Sequence, residues 1–175
     1  MDALVEQAAE LLVEAGAMDV LVADTPAKIK DAWAARSSFL EAIMEETKLL
    51  DECDVVVPVN QIADYLEFAN KTGAECGLVI KSFGHAGDGN LHIYQCSNDL
   101  EEEEFKARVD KFFDIIYQRA TESGGLVSGE HGIGSGKVKY LTQSVGETNM
   151  ALMEGIKRVF DPKMILNPGK VCYRL

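Results

Sequence analysis

The chain of 175 residues contains three histidines, His85, His92 and His131, and all lie in or beside glycine-rich turns. Histidines kept for packing sit on apolar faces of regular elements. These sit instead in Phe83-Gly-His-Ala-Gly-Asp-Gly-Asn-Leu-His92 and in Ser128-Gly-Glu-His-Gly-Ile-Gly134. In the first motif His85 ends one predicted strand and His92 begins the next. Gly87, Asp88 and Gly89 between them permit a sharp reversal with positive φ. Such a turn could aim both imidazoles at one point, as a shared metal requires, or leave two exposed histidines on an ordinary hairpin. The spacing of seven residues is not among the familiar metal-ligand spacings.

The second motif adds Glu130 beside His131. Neighbours on extended backbone point in opposite directions, so one can ligate a metal while the other faces a different part of a pocket. Glu130 with His85 and His92 would make two histidines and one glutamate, the ligand count of a catalytic zinc site with an open position. His131 would then be free to act as acid or base. The alternative is a capped loop carrying a surface ion pair. Neither glycine motif builds a phosphate loop. Before Gly136-Lys137, the position that a Walker A loop reserves for glycine holds His131, and Val138 stands where Ser or Thr is needed. Gly87-x-Gly89 and Gly132-x-Gly134 lack the third glycine of GxGxxG.

The elements that must position these residues follow from pattern. Leu4–Ala15 has helical spacing and stops at Gly16. Asp19–Ala23 reads as a short buried strand. Thr25-Pro26 opens a helix carrying Ile29, Trp33, Phe39, Leu40 and Ile43. Val55-Val56-Val57 is a β-branched strand closed by Pro58, and Asn60–Thr72 a helix ending at Gly73. Strands follow at Cys76–Phe83 and Asn90–Cys96. A long amphipathic helix covers Leu100–Ser123, with Val109, Phe112, Phe113, Ile116 and Ala120 on one face. The run Glu101–Glu104 suits its positive N-terminal end, with Ser97, Asn98 or Asp99 as cap. Leu126–Ser128 is extended, and two helices follow the loop Gly129–Gly136. The order predicts an α+β two-layer sandwich, a ferredoxin-like antiparallel sheet covered by helices, with a C-terminal helical segment. No repeat or linker interrupts 1–175, which reads as one domain.

Composition narrows the partners. Apolar residues make up 47% of the chain and charged residues 26%, the balance of a globular protein with a real core. Seventeen basic against twenty-nine acidic residues gives a net charge of −12, which repels nucleic acid and anionic lipid. No apolar run reaches the roughly 20 residues of a membrane span, and no signal peptide is visible. Cys53, Cys76, Cys96 and Cys172 form no CxxC pair. They read as ordinary thiols in a reducing, cytoplasmic setting.

Gly84-His-Ala-Gly-Asp-Gly-Asn-Leu-His92, Ser128-Gly-Glu-His-Gly-Ile-Gly134 with Lys137, and Asp161-Pro-Lys-Met-Ile-Leu-Asn-Pro-Gly-Lys170 occur here in one chain. Together they resemble the C-terminal domain of FAD-linked oxidases, the group of D-lactate dehydrogenase, the flavoprotein of glycolate oxidase and D-2-hydroxyglutarate dehydrogenase. The resemblance covers essentially the whole chain, including Gly16-Ala17 and Trp33-x-x-Arg36. It implies a flavin-dependent 2-hydroxy acid dehydrogenase that passes hydride from C2 to FAD, with an electron-transfer protein as a further partner. It implies a divalent metal, often zinc, on His85, His92 and Glu130, with His131 as base. It implies that Arg36 pairs with the substrate carboxylate and that Asn167 lies near the flavin. On an ordinary surface helix Arg36 would be only a solvated arginine. Tyr94, two residues past His92 on the same sheet face, is either a substrate contact or a packed core tyrosine.

Two departures from the family pattern shape the expectation. Some members carry Thr one turn after the arginine and a Lys further on, both serving the substrate's carboxyl groups. Here Leu40 and the stretch Asp51-Glu52-Cys53 stand there. The missing second cation favours a small monocarboxylate, lactate or glycolate, over a dicarboxylate. The family's upstream FAD-binding domain, about 200 residues, is not in this sequence. Met1 is therefore expected to begin a fragment, inactive alone and with FAD held mainly by that upstream domain. The alternative is a non-catalytic metal-binding or interaction module. In the enzymatic reading, a metal on hydroxyl and carboxylate oxygens would stabilise the alkoxide that forms. His131 would take the proton, imidazole being the side chain that exchanges protons near neutral pH.

Overall fold

The computed structural model describes residues 2–172. The chain divides into two compact units, Met1–Ala42 and Ile43–Leu175. The first holds α1 (Asp2–Glu14) and α2 (Pro26–Ser37). Thr25 caps α2, its hydroxyl accepting from Lys28 N at 3.3 Å, with Pro26 in the first turn as the sequence predicts. The expected strand Asp19–Ala23 does not form. The segment is largely exposed, and no ladder partner pairs with it among the described residues. A short apolar run cannot be a strand without such a partner. The single helix expected across Trp33 and Ile43 is divided. Ser38 ends α2, and α3 (Phe39–Glu46) begins immediately after it. The hydroxyls of Ser37 and Ser38 bond back to Trp33 O and Ala34 O, the competition with helix carbonyls that bends helices at serine.

The second unit is built on a three-stranded antiparallel sheet, β1 (Leu49–Val56), β2 (Val79–His85) and β3 (Asn90–Ser97), in the order β1-β3-β2. β1 is joined to β2 through a short 3₁₀ turn, Val59–Gln61, and α4 (Ile62–Cys76). After β3 comes α5 (Glu102–Glu122), and then Leu126 forms a lone antiparallel bridge with Val56 on the free edge of β1. This β-α-β-β-α order, with its last strand reduced to one bridge, fits the expected α+β sandwich. α6 (Val138–Phe160) carries non-helical dihedrals at Gly146, so the two predicted C-terminal helices are two halves of one broken rod.

Several predicted boundaries moved, with β1 beginning at Leu49 rather than Val55 and β2 at Val79 rather than Cys76. α4 runs through Gly73 to Cys76 and ends at Gly77 in the left-handed region. Gly73 is not a stop but a close-approach point, because a Cβ there would meet Ile80. The predicted caps of α5 do not cap it. Ser97 Oγ accepts from Asp99 N and Leu100 N instead, Glu101 occupies the cap position without a side-chain bond, and Glu102, Glu103 and Glu104 fill the first turn.

Alternation along the strands sends Cys53, Val55, Leu91 and Ile93 into a core with Tyr65 and Ala69 of α4 and Val109, Phe112 and Ile116 of α5. Each fully buried side chain of this size contributes roughly 1.5–3 kcal/mol by burial. The opposite phase places Glu52 and Asp54 of β1, His92 and Tyr94 of β3, and Phe83 and His85 of β2 on the other face. Register sets Asp54 and Phe83 on either side of His92, and Glu52 opposite Tyr94.

The turn between β2 and β3 fixes this register. Gly89 has φ 77°, its carbonyl accepts from Val57 N at 3.0 Å, and a Cβ would stand 2.0 Å from Val57 O. Gly87 has open space around it. Gly89→Ala should therefore cost more than about 2 kcal/mol, whereas Gly87→Ala should fall within about 0.5 kcal/mol of the parent. Urea unfolding of both variants checks this. Equal losses would show that the turn does not depend on that contact.

Candidate functional site

The site is organised by a carboxylate that the motifs did not reveal. Asp54 is 1% exposed. Its Oδ1 accepts from Asn90 Nδ2 at 2.6 Å. Its Oδ2 accepts from Ser128 Oγ at 2.8 Å and from three successive backbone N–H groups, Gly129 at 3.0 Å, Glu130 at 3.2 Å and His131 at 2.9 Å. Three consecutive amides converging on one oxygen form an anion-binding nest. Lys137 Nζ lies 3.7 Å from the same oxygen and donates to Asp54 O at 3.3 Å. Burial pushes the Asp54 carboxyl up. The bonds from His131 N–H, Asn90 and Ser128, with the Lys137 charge, outweigh it and hold the group well below the usual carboxylate range. Gly129 must be glycine here, because a Cβ would stand 2.1 Å from Asn90 Nδ2.

With the loop fastened this way, its side chains meet the sheet. His92 Nε2 lies 3.0 Å from Glu130 Oε1, and His85 Nε2 lies 3.4 Å from the same oxygen. The His85 and His92 rings meet edge-on at 5.6 Å between centroids. His131 stacks on His92 at 4.9 Å, and its Nδ1 lies 3.4 Å from Glu52 Oε1. His92 Nδ1 is 3.1 Å from that same Glu52 oxygen. Two overlapping groups of three potential metal donors result, His85–His92–Glu130 and Glu52–His92–His131, with donor atoms inside each group within 4.8 Å of one another. His92 is buried, while His131 and Glu130 are exposed.

The neighbours Glu130 and His131 open onto different spaces. A cavity of about 350 Å³ is lined by Glu130, His85, Asp88, Asn90, Val56 and Gly129. A second, of about 420 Å³, has His131, Glu52, Lys137, Tyr117 and Tyr140 among its lining residues.

The remaining expected site residues fall in different places. Tyr94 is buried and stacks on Phe83 at 5.1 Å. Burial, and then the charge and hydrogen bond of Glu52, push its hydroxyl pKa up, so it is neutral and held by Glu52. Arg36 lies on α2 of the first unit, its guanidinium 6.0 Å from the Trp33 ring centroid. Asn167 is exposed, in the left-handed region at φ 47°, and its carbonyl accepts from Lys170 N at 3.4 Å. This C-terminal segment is tied to the glycine loop, since Val171 N donates to Gly134 O at 2.7 Å.

Glu52, Asp54, Asn90 and Ser128 are the residues that sequence reasoning missed. A signal for two of them was present. An aspartate abutting Val55-Val56-Val57 is out of place in a buried strand, and Glu52 shares its alternation phase.

An α+β domain with a histidine–carboxylate face beside a glycine loop has known relatives. The family described as "FAD linked oxidases, C-terminal domain" matches residues 2–171. The chain is 62% identical over 175 residues to a D-lactate dehydrogenase of Anaerostipes hadrus, covering all of this chain and 37% of that protein. It is 37% identical over 157 residues to the glycolate oxidase protein GlcD of Bacillus subtilis, covering 89% of this chain and 33% of that protein. A D-lactate dehydrogenase of Archaeoglobus fulgidus is 37% identical over 171 residues, with 97% and 37% covered. The chain belongs to the FAD-linked oxidase C-terminal domain family and spans about a third of the length of these relatives. No described helix is long and apolar enough to cross a membrane.

Asp54→Asn keeps the shape and removes the charge that Lys137 and the amide nest need. The expected loss is about 3 kcal/mol in urea unfolding, the scale for breaking a buried charge pair. Because the folded pKa is depressed, the stabilisation is complete above the unfolded carboxylate value of about 3.9 and disappears as pH falls below it. Hydrogen-exchange protection of the amides at 129–131 should therefore survive at neutral pH and vanish in acid. A loss under about 1 kcal/mol, or exchange indifferent to pH, would remove Asp54 from this role.

Proposed function

We propose that residues 1–175 form the substrate-binding domain of a flavin-dependent dehydrogenase acting on a small 2-hydroxy acid, D-lactate or glycolate. FAD would be held mainly by an upstream domain. The observation that carries this reading is the convergence of His85 Nε2 and His92 Nε2 on one oxygen of Glu130, with His131 stacked alongside.

Two imidazole nitrogens and a carboxylate are the donor set of a catalytic zinc site with an open position. Donors bound at about 2.0–2.1 Å around a tetrahedral ion lie roughly 3.3 Å apart, and the observed 3.0 and 3.4 Å bracket that value. His85, His92 and Glu130 would hold the ion. When bound, a divalent metal supplies Lewis-acid polarisation of substrate oxygens, and FAD supplies the two-electron oxidising capacity.

This chain's residues supply the rest. Oxidation of a 2-hydroxy acid removes a hydride from C2 and a proton from the hydroxyl. His131 accepts that proton, since it is the one histidine outside the ligand set and its ring stacks on the ligand His92 at 4.9 Å. Arg36 offers a two-pronged donor to the substrate carboxylate. Tyr94 lies on the same sheet face and would contact the substrate, and Asn167 would border the flavin. The carboxylate of Glu52 beside His131 puts an anion where a dicarboxylate's second carboxyl group would need a cation, which supports a monocarboxylate substrate.

The test is metal content and turnover in the flavin-containing enzyme, with D-lactate and glycolate as substrates. His92→Ala should lose the metal. Glu130→Gln should bind it more weakly and regain part of its activity with excess metal. His131→Gln should keep the metal and lose about 10²–10⁴-fold in kcat. Metal lost from His131→Gln but retained by Glu130→Gln would reverse the roles. Full activity in both variants would reduce the loop to a turn.

A further inference from the structure

Glu52 belongs to neither the metal triad nor the proton-accepting step, yet a single one of its oxygens faces both. Glu52 Oε1 lies 3.1 Å from His92 Nδ1 and 3.4 Å from His131 Nδ1. Its side chain is 26% exposed, and His92's only 4%. Tyr94 stands opposite Glu52 across the β1–β3 ladder. The other nitrogen of His92, Nε2, points at Glu130.

We propose that Glu52 is a positioning residue that fixes both imidazoles at once. It accepts Nδ1–H of His92, leaving Nε2 for a metal, and Nδ1–H of His131, leaving Nε2 of that ring as the atom that takes a proton. This deepens the function proposed above and rests on it for the metal and the base.

Three arguments support this assignment. A ring nitrogen has one lone pair, so a ligand histidine is oriented by whatever accepts the proton on its other nitrogen. The His92 ring is buried among Glu52, Glu130, Phe83 and the other two histidines, which leaves Glu52 as the acceptor on its Nδ1 side. The carboxylate is itself held in place, because β1 fixes Glu52 opposite Tyr94 in register. An acceptor shared by two stacked rings also sets their relative orientation. The proton-accepting nitrogen of His131 is thereby fixed with respect to the ligand nitrogen of His92.

The chain's three histidines make this directly observable. Long-range proton–nitrogen NMR spectra of the ¹⁵N-histidine chain at pH 8.5, zinc-free and zinc-loaded, report which ring nitrogen carries hydrogen. His131 is expected as the Nδ1–H tautomer in both states, and zinc-loaded His92 as Nδ1–H with Nε2 on the metal. In Glu52→Leu, His131 should shift toward the Nε2–H form that prevails in water. Zinc affinity, by chelator competition, should fall roughly 10–100-fold. Glu52→Gln keeps the shape and an amide oxygen that can accept, so it should fall between the parent and Glu52→Leu on both measures.

His131 as Nε2–H in the parent chain, or unchanged tautomers and zinc affinity in both variants, would overturn the proposal. So would a second zinc equivalent lost with Glu52, which would make this carboxylate a ligand. Should zinc fail to bind the parent chain, the metal reading falls on its own. The His131 tautomer in the zinc-free spectra, in the parent chain and in Glu52→Leu, still decides whether Glu52 positions that ring.

Discussion

The candidate site depends on one buried carboxylate. Asp54 stands on the edge strand β1, where the sheet would otherwise offer unpaired backbone, and it draws the loop 128–131 against that edge. Burying a charge costs free energy unless hydrogen bonds and an opposite charge replace water. Here they do so completely. Asn90 takes one oxygen, the amide nest and Ser128 take the other, and Lys137 approaches from the far end of the same loop. The partners come from β3 and from both ends of the loop, so one group on β1 ties three remote stretches of chain together.

That arrangement also explains how adjacent residues come to line different cavities. When the N–H groups of residues 129, 130 and 131 all turn inward to Asp54, the side chains of Glu130 and His131 are forced outward and apart. Glu130 falls over His85 and His92, and His131 falls over Glu52 and the second cavity. The separation of a ligand-type group from a base-type group is therefore a backbone property. It requires Gly129, whose missing Cβ lets Asn90 reach both Asp54 and Val55 O.

Much of this was legible in the sequence because glycine and histidine are informative where they coincide. The two turns and the helices whose apolar stripes are regular emerged from spacing, whereas Glu130 and His131 were expected on extended backbone and stand on a bend. What escaped was whatever tertiary pairing decides. Asp19–Ala23 has strand-like residues and no partner strand among the described residues, so propensity misled. Gly73 looked like a helix stop, but Ile80 packs against it inside α4. Asp54 and Glu52 carry no motif of their own. Their significance appears only when register sets them across β3 from His92 and Tyr94, and a single sequence contains no register.

The face that results is an unusual electrostatic object for a chain with net charge −12. Three imidazoles are interleaved with three carboxylates, and the carboxylates differ in what surrounds them. Asp54 is saturated by hydrogen-bond donors and has no capacity left for a ligand. The Glu130 carboxylate is half exposed and faces imidazole nitrogens, so it is the one best able to exchange a histidine contact for a cation. Glu52 lies between these cases, a quarter exposed and facing two ring nitrogens. The carboxylate inside the nest is enclosed, the one projecting from its rim is half exposed beside two imidazoles, and the one two positions along the same strand faces two rings.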